Sequence, residues 1–113
     1  MENYSTMLDS TFHALSDPTR RMVVSRLMRG PAPVKELAKP YEMGLPSFLK
    51  HLKILEDSGL ITSRKEGRVR TCEVRADRLE AIERWFDEQR AIWESRYGNL
   101  DNLLMSLGRE DSK

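Results

Sequence analysis

Apolar side chains recur along this chain with two periods, and the switch between them marks its elements. Tyr4, Leu8, Phe12 and Leu15 step by three and four, the spacing that turns one face of an α-helix toward a core. Ser16-Asp17-Pro18 interrupts the pattern. Ser16 or Asp17 can cap a helix, and Pro18 fits the first helical position, where its missing amide hydrogen costs no intrahelical bond. A second helix then runs to about Arg29 with Val23, Val24, Leu27 and Met28 as its stripe, and stops at Gly30-Pro31.

Pro33-Val34 opens a short helix through Leu37 and Ala38 that Pro40 ends. A turn containing Gly44 follows. Pro46 then opens another helix, to about residue 58, with Leu49, Leu52 and Leu55 as its docking face and Gly59 as a left-handed cap. Short helix, turn, helix is a helix-turn-helix layout. The period next shortens. Leu60-Ile61-Thr62-Ser63 and Val69-Arg70-Thr71-Cys72-Glu73-Val74 are β-prone, and Gly67 between them suits a hairpin loop. A two-stranded ribbon over about residues 60–75 is predicted, in the place of a wing. From Asp77 the helical period returns through Leu79, Ile82, Phe86, Gln89, Trp93, Tyr97, Leu100, Leu104 and Leu107. This helix, about 77–107, would extend roughly 45 Å at 1.5 Å per residue, longer than a small domain needs for itself. Gly98 can kink it, and residues 108–113 are expected to fray.

The fold class expected is therefore mainly α with a two-stranded β-hairpin: one winged helix-turn-helix domain over residues 1–113, ending in a long dimerisation helix. The length of 113 residues fits one domain. A single cysteine excludes an intrachain disulfide framework. No apolar run approaches the roughly 18 residues of a membrane span. The first ten residues lack the basic cluster and apolar stretch of a signal peptide, so a cytoplasmic protein without a membrane partner is expected.

Net charge is only +1, but its distribution changes the picture. Residues 16–75 carry 13 basic and 7 acidic side chains, whereas residues 76–113 carry 6 and 9. A basic middle is an electrostatic footprint for nucleic acid. Within it, Arg64, Lys65, Arg68 and Arg70 crowd the ribbon tip, and phosphate contact is the simplest use for them. Lys53 lies one turn on from Lys50. Arg20 and Arg21 stand in the first turn of their helix, where the dipole disfavours cations; phosphate contact or a salt bridge would account for either. Pro46, Ser47, Lys50 and His51 occupy the start of the helix that would enter a DNA major groove and meet base edges.

Three segments carry a family resemblance. Phe12-His13-Ala14-Leu15-Ser16-Asp17-Pro18-Thr19-Arg20-Arg21 resembles the opening signature of the ArsR-type (arsenic-repressor-like) winged-helix regulators. The run from Leu45 to Ile61 resembles their recognition helix, and Lys65-Glu66-Gly67-Arg68-Val69-Arg70 their wing. Trp85 and Trp93 in a long last helix resemble a subgroup without recognised metal sites. The similarity spans about residues 8–107. It implies a homodimer paired through the first and last helices, with Leu8, Phe12, Leu79, Ile82, Phe86, Trp93, Tyr97, Leu100 and Leu104 at the interface. It also implies repression from an inverted-repeat operator. By position, Ser47, Lys50 and His51 would contact bases. Leu49 departs from the family pattern, which has a small polar residue there; either bases are read differently, or Leu49 meets a thymine methyl.

Other chemistries find little purchase. The helix before the recognition helix has no cysteine pair, and residues 77–97 contain carboxylates but no histidine, so no metal site or cofactor is expected. No nucleophile–base pair, phosphate-cradling glycine loop or carboxylate dyad points to catalysis. Two alternatives stay open: a winged-helix protein-interaction module using the long apolar seam, and a redox-responsive repressor using Cys72. Trp85 and Trp93 pack a dimer core or line a pocket for an inducer whose identity the sequence does not name.

Overall fold

A computed structural model describes residues 3–112, leaving the side chains of residues 97, 99–103, 106 and 108–112 outside the description. The chain forms two compact units, one through Ala81 and one from Ile82 onward. In the first, α1 (Tyr4–Ala14) and α2 (Pro18–Leu27) precede a short strand β1 (Ala32–Pro33) and helix α3 (Val34–Ala38). Helix α4 (Leu45–Asp57), strands β2 (Ile61–Glu66) and β3 (Val69–Val74), and the start of α5 (Ala76–Ser112) follow.

Local chemistry sets the boundaries. The Asn3 side chain caps α1 by accepting from the Thr6 amide at 2.7 Å. The Asp17 carboxylate caps α2 by accepting from the Arg20 amide at 3.1 Å, with Pro18 at the helix start. At the end of α4, Gly59 takes a φ of +82°. Its amide reaches the Glu56 carbonyl and the Leu60 amide reaches that of Leu55, the paired bonds of a Schellman cap. Leu55 and Leu60 are both buried beside it.

The sheet differs from the two-stranded expectation. It has three antiparallel strands in the order β1-β3-β2, with Ala32 opposite Cys72 and Pro33 opposite Thr71. Two residues show no alternation, so β1 left no pattern to read. Its place at the edge tolerates Pro33, which has no amide hydrogen for a ladder. The hairpin is also tighter than predicted. Glu66 pairs with Val69, leaving a two-residue loop in which Gly67 has a φ of +63°, as a type II′ turn requires.

The core of this unit joins Val23, Val24 and Leu27 of α2 to Leu37, Phe48, Leu52, Leu55, Leu60, Ile61 and Cys72. Two helical faces are rotated from the expected ones. In α4 the buried stripe is Phe48, Leu52 and Leu55, and Leu49 faces outward. In α1 it is Leu8, Thr11 and Ala14, with the Thr11 hydroxyl donating back to the Met7 carbonyl at 2.7 Å. Leu8, expected at a subunit interface, is only 8% exposed and belongs to this core.

Candidate nucleic-acid interface

Helix α4 offers its outer side as a surface. Pro46, Ser47, Lys50 and Lys53 are exposed, and the backbone of its first turn has no side-chain cap. His51 is different. Its Nδ1 lies 3.0 Å from an Arg20 Nη1 and 3.8 Å from Asp17 Oδ2. Guanidinium only donates, so in the neutral ring Nδ1 accepts and the proton sits on Nε2. The same Arg20, 7% exposed, donates through Nε to the Ala14 carbonyl at 2.7 Å and through Nη2 to that of His13 at 3.3 Å. Those are carbonyls at the end of α1, where a helix dipole favours a cation. Burial raises the Asp17 carboxyl, but the Arg20 amide and the neighbouring His51 and Arg20 side chains outweigh it, leaving the group below its ordinary range. Arg20 is thus a buried clamp joining α1, α2 and α4, with Nε, Nη1 and Nη2 each engaged inside the protein, rather than the phosphate contact that was one of its two expected uses.

The wing is tied to the same helix from its other end. Arg70 Nη2 donates to both Glu56 oxygens, at 2.9 and 3.1 Å. Ser63 donates to Glu56 at 2.7 Å and accepts from Arg70 Nε at 2.9 Å. Arg70, read as a phosphate ligand, therefore also positions the wing. Arg64 pairs with Glu66 at 3.2 Å, and Lys53 with Asp57 at 3.6 Å, both in solvent, where such pairs are weak. Lys50, Lys65 and Arg68 form no ion pair among the described residues. Between α4 and the wing runs a groove of about 1090 Å³ bordered by Leu45, Leu49, Val69, Lys35, Lys65 and Arg68. Lys35 and Val69 carry no site signal in the sequence; theirs is proximity across elements, which spacing along the chain does not carry.

Comparison with known proteins fits this geometry. A helix-turn-helix domain model matches residues 15–64. The HTH-type transcriptional regulator Rv2034 of Mycobacterium tuberculosis is 36% identical over 74 residues, 66% of this chain and 69% of its own. The transcriptional repressor SdpR of Bacillus subtilis is 32% identical over 60 residues, 53% of this chain and 67% of its own. The crystal structure of an ArsR family transcriptional regulator, RHA00566, is 55% identical with a TM-score of 0.78, covering 84% of this chain and 98% of that one. The chain belongs to the ArsR family of winged helix-turn-helix regulators. As an ArsR-family protein it is a DNA-binding transcriptional regulator.

The remaining expectations for this ArsR-family chain divide between its two units. Phe12 is partly exposed on α1, and Leu79 half-buried near the start of α5. In the second unit Ile82 is buried, while Phe86, Trp93 and Leu104 are exposed. The Trp85 and Phe86 rings meet edge to face at 5.2 Å. The side chains of Tyr97 and Leu100 lie outside the described residues. Helix α5 runs to Ser112. Cys72 is fully buried on the central strand. Burial and Glu56 push its thiol pKa up against the opposing pull of Arg70. A reactive cysteine needs access and a lowered pKa, so the redox alternative loses its chemical basis. Among the described residues no cluster of three metal-ligating side chains forms, and no helix is long and apolar enough to cross a membrane.

Proposed function

We propose that this regulator is a homodimeric repressor of an inverted-repeat operator, placing α4 in the major groove and the wing against the flanking backbone. The observation that carries the reading is the Glu56–Ser63–Arg70 tie, because it makes recognition helix and basic wing one surface. Ser47 and Lys50 are the base-facing candidates, with Pro46 at the helix tip. His51 contributes through its Nε2 proton while Nδ1 is held by Arg20. Leu49, turned outward, suits a thymine methyl. Lys53, Arg64, Lys65 and Arg68 are the phosphate contacts. The repressor named among the relatives supports the direction of control. Exposed Phe86, Trp93, Leu104 and Leu107 on α5 support pairing of two copies, which would set two recognition helices about one DNA turn apart.

Selection of bound duplexes from random DNA tests the reading. An enriched inverted repeat with half-sites roughly 10 base pairs apart is expected; no enrichment, or a lone half-site, overturns it. The double variant K65Q/R68Q should bind every duplex more weakly and flatten the salt dependence by close to one log unit per lost phosphate contact. An unchanged slope would remove the wing from the interface. Sedimentation of the DNA-free protein should give a dimer.

A further inference from the structure

We propose that the groove between α4 and the wing binds an amphipathic monoanion, a carboxylate on a medium-length alkyl chain, and that this ligand excludes DNA from the same face. The inference rests on the reading of that face as the DNA interface, since the ligand acts by covering it. Two properties of the groove select the ligand class. Its floor is apolar: Leu45, Leu49 and Val69 are 54%, 36% and 51% exposed and all border it. A phosphate strand offers such side chains no apolar partner, and base edges offer only thymine methyls. Its rim is cationic: Lys35, Lys65 and Arg68 border it with no ion pair among the described residues, Arg70 borders it with its charge met by Glu56, and no carboxylate is among the bordering residues. The cations favour an anion, and the floor favours hydrocarbon over water. Inorganic phosphate would leave the floor wet, and a neutral lipid would leave the rim uncompensated. The volume of about 1090 Å³ lies just above the usual range of small-molecule sites, roughly 300–1,000 Å³.

Decanoate below its micellar concentration is the probe. Titrated into the DNA-free full chain, it should saturate, with the largest amide shifts over residues 45–49 and 65–70. Decanamide and inorganic phosphate should each bind at least about tenfold more weakly, because each lacks one of the two matched properties. Val69→Thr keeps the shape of a wing residue and should weaken decanoate several-fold; Leu49→Gln should do the same from the helix side. With a duplex from the selection, decanoate should raise the apparent Kd for DNA in proportion to its concentration, and Val69→Thr should blunt the effect. Shifts centred on α5, equal binding of decanamide, or DNA affinity unmoved at saturating decanoate would each overturn the proposal. Failure to bind any duplex without decanoate would instead sink the DNA-interface reading, and the amide shifts would still decide whether the groove takes the anion.

Discussion

Two arginines hold α4 in place, and they do so by different physics. Arg20 is 7% exposed and sends its side-chain donors to two carbonyls of the preceding helix and an imidazole. Arg70, with 46% of its side chain exposed, meets a carboxylate and a hydroxyl at the edge of solvent. Removing a partner from a buried set strands groups that water cannot reach, whereas water replaces a lost partner at the surface. The first tie therefore fixes whether the helix-turn-helix assembles. The second fixes where the wing lies once it has. The same residue type, acting on α4 from α2 and from β3, supplies stability at His51 and geometry at Glu56.

The largest expected effect follows from breaking the buried tie alone. Arg20→Leu keeps much of the volume but leaves the Ala14 carbonyl without its side-chain donor and His51 without its partner, while the His13 carbonyl keeps the Ser16 amide and hydroxyl. A loss of about 2–4 kcal/mol is expected, from lost charge-assisted bonds and stranded acceptors. Thermal unfolding should register it as a fall in Tm of roughly 10 °C, at about 4 °C per kcal/mol for a chain of this size. A variant as stable as the parent would show Arg20 to be a surface cation after all.

Glu56→Gln sharpens the contrast from the exposed side. Glutamine keeps an acceptor for Ser63 but removes the charge that holds Arg70. Stability should drop by about 1 kcal/mol or less, as for other partly exposed ion pairs. Hydrogen exchange should instead quicken for the wing amides of residues 63–70 and stay unchanged across α2. If Glu56→Gln costs as much as Arg20→Leu, the distinction between the two ties fails.

These ties also show what a linear reading can reach. The helix-turn-helix and wing were legible because the apolar period changes from helical to alternating spacing between Leu55 and Ile61, and Gly59 and Gly67 sit where positive φ is required. The Phe48–Leu49 pair was not. Leu49-Leu52-Leu55 and Phe48-Leu52-Leu55 both fit a helical face, and only packing against the rest of the unit chooses between them. Arg20 left a trace, a cation at the unfavourable end of a helix, but its partners depend on where α1 ends in space. His51 read as a surface residue because its partner lies 31 positions away. The exposure of Ser47 and Lys50 needed only their place at the helix start, which sequence conveys well.

The smallest expected effect probes the charge between the ties and the solvent. Asp17 caps α2 and lies beside His51 and Arg20, and its carboxyl is held below its ordinary range despite opposing burial. A carboxylate with a depressed folded pKa contributes stability that is complete above its unfolded value, about 3.9, and is lost as pH falls through the folded value. Asp17→Asn separates charge from cap, because asparagine caps helices about as well as aspartate. At neutral pH the variant should lose only about 0.5 kcal/mol, the size of a charge at a helix start. Between about pH 4 and the acid limit of folding, where the native Asp17 takes up its proton, the two proteins should converge in stability. Parallel curves through that window would mean that Asp17 acts purely as a hydrogen-bonding cap, and that the buried tie is organised by Arg20 without help from its charge.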